Sequence, residues 1–289
     1  MKVIQYLAMD IISALILGII QGLTEFLPIS SSGHLILGRV FFGLGSDGLI
    51  GSGAQDLAFD AVLHLATVLA IGIYFWRDIR ALARTAFSFL IGKTVETEQK
   101  HLLGAIILGT IPAIIFGLLL EEYMESIFRN PLLVSVTLAA GALLFFVAEK
   151  VATQRANITT KKGIGIGLFQ CLALIPGMSR SGSTISGGLI LGLKREAAAR
   201  FSFLLGFPIL IGAGAKKVLE LSTTELAPGM ASALFAGFTS AFFVGLCAIY
   251  FLMKYLKKHT LNIFILYRLI LAIIVFGIVL SDPYILGSA

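Results

Sequence analysis

The sequence predicts an all-α polytopic membrane protein, built as an inverted-topology repeat with two re-entrant helical hairpins and about six full transmembrane helices. The first observation is compositional: 57% of the 289 residues are hydrophobic, 13% are charged, and the mean hydropathy is +0.96. A soluble domain would carry roughly 25% charged residues. The second observation is that two similar polar segments interrupt the apolar sequence. Together they indicate a chain that lies in a bilayer and contains an internal repeat.

The first interruption, residues 21–34, places a carboxylate, an amide, three serine hydroxyls and an imidazole within an apolar run. Ionisable groups at membrane depth are costly and therefore indicate function. Pro28 lacks a donor N–H, and the serines after it offer local hydrogen bonds in place of helical ones. Interrupted backbone is tolerated in the bilayer only where protein buries it or a wet cavity receives it. We therefore predict a helix–loop–helix hairpin whose polar tip lies inside the membrane.

A second hairpin is predicted within residues 163–192, because the first interruption is repeated there at an offset of 149 residues. Five pairs of identical residues match at this offset: Gln21 and Gln170, Leu23 and Leu172, Ser30 and Ser179, Ser32 and Ser181, and Gly33 and Gly182. In contrast, Glu25 meets Leu174, and Ser31 meets Arg180. The scaffold is therefore repeated, whereas the chemistry differs between the two tips.

Six apolar runs outside the hairpins are predicted to cross the bilayer, which takes about 20 residues per helix. They cover residues 57–76, 102–120, 132–149, 201–215, 231–253 and 262–280. Three of them separate the two hairpins, and this odd number inverts one hairpin relative to the other. We predict one membrane domain over residues 1–289, with repeat one at about 1–150 and repeat two at about 151–289.

The basic residues predict the orientation of the chain. Fifteen of the 22 Lys and Arg residues fall in four segments that we expect to be cytoplasmic loops: 77–101, 150–162, 194–200 and 254–260. The N-terminus and residues 121–131 are then expected to face outward, and the outer side holds Lys2, Arg39, Arg129, Lys216 and Lys217. The net charge of +6 therefore reflects orientation rather than nucleic-acid binding. Cys171 and Cys247 are too few for a disulfide framework, and we expect no removable signal peptide.

The second tip has the features of an anion site. We expect a helix to begin at about Ser181, after the turn Pro176-Gly177, so that its free N–H groups face the tip. Arg180 adds a planar fork that suits phosphate oxygens, and Ser179, Ser181 and Thr184 add hydroxyls. The alternative is that the small residues, such as Gly182, serve close helix packing. That alternative does not explain an arginine at the interruption.

The first tip has the groups that hydrolysis requires. Glu25 is a candidate general base or ligand of a divalent cation, and Gln21, one helical turn earlier, is a candidate neutral oxygen ligand. Ser31 is a candidate nucleophile, and His34 is a candidate base or acid. The alternatives are a packing role for His34 and an N-cap role for Ser30 or Ser32.

Three further polar residues in apolar runs have structural interpretations. Asp60 and His64 lie one turn apart on one helix face, and we favour a hydrogen bond between helices over catalysis. Arg268, in the last apolar run, is expected to be paired within the bundle.

Two separated motifs carry a family resemblance. Gln21-x-x-x-Glu25 and Pro176-Gly-x-Ser-Arg-Ser-x-x-Thr184 occur in the right order and spacing, and the chain resembles the undecaprenyl-diphosphate phosphatases of the bacitracin-resistance type over essentially its whole length. The resemblance implies removal of the terminal phosphate of undecaprenyl diphosphate, which recycles the carrier lipid for cell-wall synthesis. It also implies a divalent cation, Mg²⁺ or Ca²⁺, and a multi-pass location in the bacterial inner membrane with an active site open to the outer face.

The resemblance also implies roles for individual residues. Glu25 and Arg180 are expected to be essential, and Ser31 or His34 is expected to be the nucleophile or acid/base. The expected substrate-binding set is Ser30, Ser179, Ser181, Gly182 and Thr184. Glu25 and Gln21 are the expected metal ligands, although the sequence has Gln at position 21, where the motif also allows Glu. A homodimer is one expected assembly.

Two other functions remain open at this point. Inverted repeats with broken helices are typical of transporters, so a transporter or flippase for a phosphorylated lipid or small anion is the main alternative. A structural membrane protein is the other, but it leaves Glu25 and Arg180 unexplained. Phosphate release from a lipid diphosphate distinguishes the enzyme from both.

Overall fold

The computed structural model describes residues 10–44, 54–120, 130–221 and 230–281. Within these ranges the chain forms eleven α-helices and one short 3₁₀ turn, Leu172–Leu174. The first repeat contains α1 Ile11–Phe26, α2 Ser31–Phe42, α3 Ala54–Tyr74, α4 Trp76–Leu90, α5 Thr97–Leu119 and α6 Pro131–Val151. The remaining helices are α7 Thr160–Cys171, α8 Arg180–Ile190, α9 Arg195–Leu221, α10 Met230–Tyr255 and α11 Asn262–Ser281.

Five of the six predicted membrane spans are confirmed to within a few residues at most ends. Helices α5, α6, α9, α10 and α11 are each long and apolar enough to cross a bilayer. Helix α3 supplies the sixth span when it is taken together with α4, from which a bend of 80° separates it. The chain is therefore a multi-pass membrane protein. Both cysteines are free thiols, as their number predicts.

Among the helices that the structure describes, α4 is the one that the sequence does not predict. Residues 77–101 were expected to form a polar loop, but most of this segment belongs to α4 and to the start of α5. The charged composition of this segment is typical of a loop, whereas the spacing of its charges is helical. Arg77, Arg80 and Arg84 recur at helical intervals, so they share one face, while the exposed Phe87 and Leu90 supply apolar surface. With its 80° bend from a spanning helix, α4 has the geometry of an interfacial helix.

The two hairpins, α1–α2 and α7–α8, are capped in the same way. Ser30 and Ser179 have φ angles of 79° and 71°, a region that residues other than glycine seldom adopt. Each serine side chain accepts a hydrogen bond from the amide three residues later, at Gly33 (3.4 Å) and Gly182 (3.2 Å). The sequence repeat therefore corresponds to a repeated cap, although α8 begins at Arg180 rather than at about Ser181. The division into two repeats near residue 150 stays a prediction.

Small residues fix the depth at which each hairpin sits. In the first hairpin, α1 packs along α10, and a Cβ atom at Gly22 would lie 2.7 Å from the carbonyl oxygen of Ala241. In the second, α7 packs along α5, and a Cβ atom at Gly163 would lie 2.7 Å from the carbonyl oxygen of Ala105. Backbones approach this closely in membranes only where side chains are small. The two tips are consequently held against long spanning helices.

Candidate active site

The two hairpin tips meet through an ion pair between Glu25 and Arg180. Glu25 lies in the last turn of α1 and Arg180 is the first residue of α8, 155 residues later. Nη2 of Arg180 lies 2.7 Å from Oε1 of Glu25, and both side chains are largely buried. An acid and a guanidinium from separate hairpins therefore share one position within the bundle. Their catalytic roles stay predictions, but the geometry that those roles require is present.

The other carboxylate oxygen of Glu25 is bound from its own hairpin. Oε2 accepts a hydrogen bond of 2.8 Å from the Ser31 hydroxyl and a longer one of 3.3 Å from Nε2 of Gln21. All three partners of Glu25 are hydrogen-bond donors, so both carboxylate oxygens act as acceptors. The Ser31 proton already points at an acceptor, which is the arrangement of a nucleophile with its general base.

Both ring nitrogens of His34 are engaged away from Ser31. Nδ1 lies 2.7 Å from the carbonyl oxygen of Ser30, and Nε2 lies 2.7 Å from the hydroxyl of Tyr267. A carbonyl only accepts, so Nδ1 carries the proton and Nε2 accepts from Tyr267. The two rings also stack, with centroids 5.7 Å apart and an interplanar angle of 11°. In this geometry His34 fixes the first turn of α2 instead of contacting the Ser31 hydroxyl.

Ser30 joins the tips as well as capping α2. Its hydroxyl oxygen accepts from the amide of Gly177 at 3.1 Å, in addition to the amide of Gly33, and it lies 3.4 Å from the Ser32 hydroxyl. The expectation that Ser30 or Ser32 caps a helix is thus confirmed for Ser30. Its predicted contact with substrate would have to share an oxygen that already holds two amides.

The predicted phosphate-binding residues of the second tip lie together around the start of α8. Ser179 Oγ lies 3.2 Å from Ser181 Oγ, and the Ser181 hydroxyl donates to the carbonyl of Leu27 at 3.5 Å. Thr184 is fully buried, and its hydroxyl lies 2.8 Å from the carbonyl of Arg180 and 2.6 Å from Ser202 Oγ. The hydroxyls of Ser179 and Ser181 are therefore better placed at the tip than that of Thr184. The contact of this set with phosphate stays a prediction.

Arg268 holds the two tips from behind. Its guanidinium is completely buried and makes five hydrogen bonds, all to backbone carbonyls. The shortest, 2.6 Å, goes to Gly177, and others go to Met178 and Pro28. Its Cζ also lies 4.9 Å from the ring centroid of Phe145. The expected pairing of Arg268 within the bundle is confirmed, with carbonyl oxygens of both hairpins as the partners.

Asp60 links two helices, as predicted. Its carboxylate accepts from Arg39 at 2.5 and 3.0 Å, which fastens α2 to α3. Arg39 lies on α2 and is only 8% exposed, and its place on the outer side of the membrane stays a prediction. Nδ1 of His64 lies 2.8 Å from the backbone carbonyl oxygen of Asp60.

Comparison with known proteins decides the family. A sequence model of the family described as bacitracin resistance protein BacA matches residues 14–274. The chain belongs to this family. An undecaprenyl-diphosphatase of Rubrobacter xylanophilus is 39% identical over 277 residues, covering 94% of this chain and 99% of the relative. Proteins of the same name from Geotalea daltonii and Chlorobaculum tepidum are each 42% identical, over 265 and 281 residues, and cover at least 90% of this chain and 95% of the relative.

The BacA match includes nearly all of both hairpins and most of the last spanning helix, so the resemblance drawn from two short motifs is confirmed over nearly the whole chain. It also includes Tyr267, which the sequence interpretation overlooked. The available signal was its place beside a charged residue, Arg268, in an otherwise apolar run. A tyrosine in such a run is usually a packing residue, and only the structure shows that it bonds His34.

Proposed function

We propose that this BacA-family protein hydrolyses undecaprenyl diphosphate to undecaprenyl phosphate and inorganic phosphate, as the names of its relatives indicate for those proteins. The observation that carries the proposal is the buried contact of 2.7 Å between Glu25 and Arg180, with the Ser31 hydroxyl on the same carboxylate. This grouping of a hydroxyl, a carboxylate and a guanidinium supports our assignment of Ser31 as nucleophile, Glu25 as base and Arg180 as phosphate-binding cation. The diphosphate would lie at the tips, with the polyprenyl chain in the surrounding lipid.

In the proposed first step, Ser31 Oγ attacks the terminal phosphorus while Glu25 takes its proton. The bond from that phosphorus to the bridging oxygen breaks, and the lipid monophosphate leaves with the electron pair and the proton from Glu25. In the second step Glu25 takes a proton from water, whose oxygen attacks the phosphoserine. The phosphorus–Oγ bond then breaks, Ser31 regains a proton, and inorganic phosphate is released. Ser31 is preferred over His34 as nucleophile because both nitrogens of His34 are engaged elsewhere.

Arg180 connects binding to this chemistry. In the absence of substrate, Nη2 of Arg180 donates to Oε1 of Glu25. A diphosphate at the tip offers the guanidinium a pair of oxygens in bidentate geometry, so that Arg180 turns part of its hydrogen bonding from Glu25 to the substrate. The base is then released in the presence of substrate, and the cation stabilises the charge that develops on the phosphoryl oxygens.

We also propose that Glu25 and Gln21 hold a divalent cation, Mg²⁺ or Ca²⁺. Within the described part of the chain, no three His, Cys, Asp or Glu side chains are grouped as a complete metal site. However, Oε1 of Gln21 is buried without a hydrogen-bond partner, beside the carboxylate of Glu25. These are hard oxygen donors of the kind that such cations bind together with phosphate oxygens. When bound, the cation would neutralise charge on the diphosphate.

We place the protein in the bacterial inner membrane with the tips accessible from the outer face. The support is the concentration of Lys and Arg in the four segments 77–101, 150–162, 194–200 and 254–260, which favours a cytoplasmic location for them. A homodimer is our proposal for the assembly, and light scattering of the detergent-purified protein tests it. Neither the described residues nor the comparisons favour the transporter alternative.

Trapping the intermediate tests the proposed function. Purified protein is incubated with undecaprenyl diphosphate and Mg²⁺, released phosphate is measured, and the protein is acid-quenched and mapped for phosphorylation. We expect turnover and a phosphate on Ser31. Release of phosphate with the label on His34 would overturn the proposed step, and no release with either Mg²⁺ or Ca²⁺ would overturn the proposed activity.

A further inference from the structure

A cavity of about 750 Å³ lies at the end of α10, away from the hairpin tips. Three helices contribute to it: α3 through its last residue, Tyr74, α9 through Glu196 in its first turn, and α10 through Tyr250 and the residues that follow. Lys254, Lys257 and Lys258 line it as well. It shares no residue with the candidate active site, so it requires an explanation of its own.

The cavity lies where membrane-spanning helices end. Helix α3 ends at Tyr74, α9 begins at Arg195, and α10 ends at Tyr255. Helices α9 and α10 each have the length and hydropathy of a span, and α3 has them together with α4. The chain turns by 80° immediately after Tyr74 into the interfacial helix α4. The ends of the three helices and the bend after α3 therefore put the cavity at the level of the lipid headgroups.

The charge of the cavity is positive. Lys257 pairs with Glu196 at 3.2 Å, so the net positive charge comes from the two other lysines of the cavity, Lys254 and Lys258. Lys254 lies over the ring of Tyr250 at 5.8 Å, and within the described residues Lys258 makes no ion pair. Both lysines are exposed. Two exposed ammonium groups at one membrane-level cavity favour an anionic ligand.

The walls of the cavity suit the rest of a lipid. Tyr255 stacks between His259 and Phe251, with ring centroids 4.4 and 5.6 Å away. Tyr250 and Phe251 are 58% and 50% exposed, so they present apolar surface towards the bilayer beside the lysines. Aromatic side chains favour the boundary between headgroups and acyl chains, and a lysine at that boundary extends its ammonium group to the headgroup phosphate.

We propose that this cavity binds an anionic diacyl phospholipid of the surrounding bilayer, with its phosphate between Lys254 and Lys258 and an acyl chain along Phe251. The proposal does not depend on the proposed phosphatase activity, because none of these residues belongs to the hairpin tips. The ligand is a resident lipid rather than the substrate. Its binding fastens the ends of α3, α9 and α10 to one another at the membrane surface.

Native mass spectrometry of the full-length protein tests the proposal. Protein is reconstituted with equimolar phosphatidylglycerol and phosphatidylcholine, and lipid retained after gentle detergent removal is counted for wild type and for the double variant Lys254→Gln/Lys258→Gln. The matched control is Lys93→Gln/Lys161→Gln, which removes two exposed lysines outside the cavity. Because each basic residue near an anionic surface contributes about fivefold in binding, we expect the cavity variant, which loses two of them, to retain phosphatidylglycerol about 25-fold less than wild type.

The control variant is expected to retain phosphatidylglycerol as wild type does, and Lys254→Arg/Lys258→Arg should preserve most of the binding. Equal losses in the cavity and control variants would overturn the proposal, as would equal retention of the two lipids by wild type. A further arm adds soluble glycerol phosphate in excess. If that headgroup alone displaces the lipid, the cavity is a phosphate site and the lipid assignment is wrong. Phosphate release is measured in parallel, and its failure alone would leave the lipid result unaffected.

Discussion

Replacing Arg268 by methionine tests whether this side chain holds the two tips together. Methionine keeps much of the volume but removes every donor. Arg268 makes five bonds to carbonyls, of which those to Gly177 (2.6 Å) and Leu138 (3.1 Å) are the shortest. Hydrogen bonds to charged groups contribute about 1.5–3 kcal/mol each, so these two alone correspond to about 3–6 kcal/mol.

The assay is the thermal unfolding midpoint in detergent, measured together with phosphate release. A loss of this size lowers the midpoint by on the order of 10 °C, and turnover falls because Gly177 and Pro28 lose a shared anchor. The midpoint and the turnover of Arg268→Lys should lie between those of wild type and Arg268→Met, since an ammonium has three donors but lacks the planar fork. The matched control is Tyr267→Phe, which removes one hydroxyl from the next residue of the same helix and should leave the midpoint nearly unchanged. A difference of 2 °C in the midpoint corresponds to about 1 kcal/mol. An Arg268→Met protein whose midpoint lies within that margin of wild type, with normal turnover, would refute this reasoning.

Four further outcomes are expected. Tyr267→Phe should lower turnover about tenfold while stability is kept, because Nε2 of His34 loses its donor; unchanged turnover would remove Tyr267 from the site. Ser31→Ala should lower turnover by about three orders of magnitude or more, and activity close to wild type would rule it out as the nucleophile. Gly22→Val should destabilise the fold by about 1–3 kcal/mol, since its Cβ meets the backbone of α10; a neutral result would contradict that packing. Chelation of divalent cations should abolish phosphate release until Mg²⁺ or Ca²⁺ is restored, and full activity in chelator would exclude the proposed cation.

The parts of the fold that depend on hydropathy and backbone chemistry could be predicted from the sequence. The six spans follow from apolar runs of sufficient length, and the hairpins follow from a proline and clustered serines at membrane depth. The meeting of Glu25 and Arg180 was expected because two similar hairpins with different chemistry make sense only if their tips combine. Each of these inferences rests on a local sequence pattern, and the bilayer restricts the structures that such a pattern can adopt.

The remainder depends on three-dimensional neighbours that leave little trace in one sequence. Helix α4 was missed because its charges matched the composition of a loop, although their spacing was helical. The ion pair between Arg39 and Asp60 joins two helices, and nothing local in the sequence indicates it. The bond between Tyr267 and His34 joins residues 233 positions apart. Such contacts are set by how the helices pack, and the packing cannot be read from the local pattern.

A double-mutant cycle on Glu25 and Arg180 tests the central claim most directly. Phosphate release from undecaprenyl diphosphate is compared for wild type, Glu25→Gln, Arg180→Gln and the double variant, each checked for helical content. Glu149→Gln is the control, because it removes the carboxylate of another arginine pair, with Arg195 at 2.5 Å, away from the tips. If the two residues act as one unit, each single variant loses about three orders of magnitude or more and the double variant loses little beyond that. Folded single variants that keep turnover within about tenfold of wild type, as the control should, would contradict the claim.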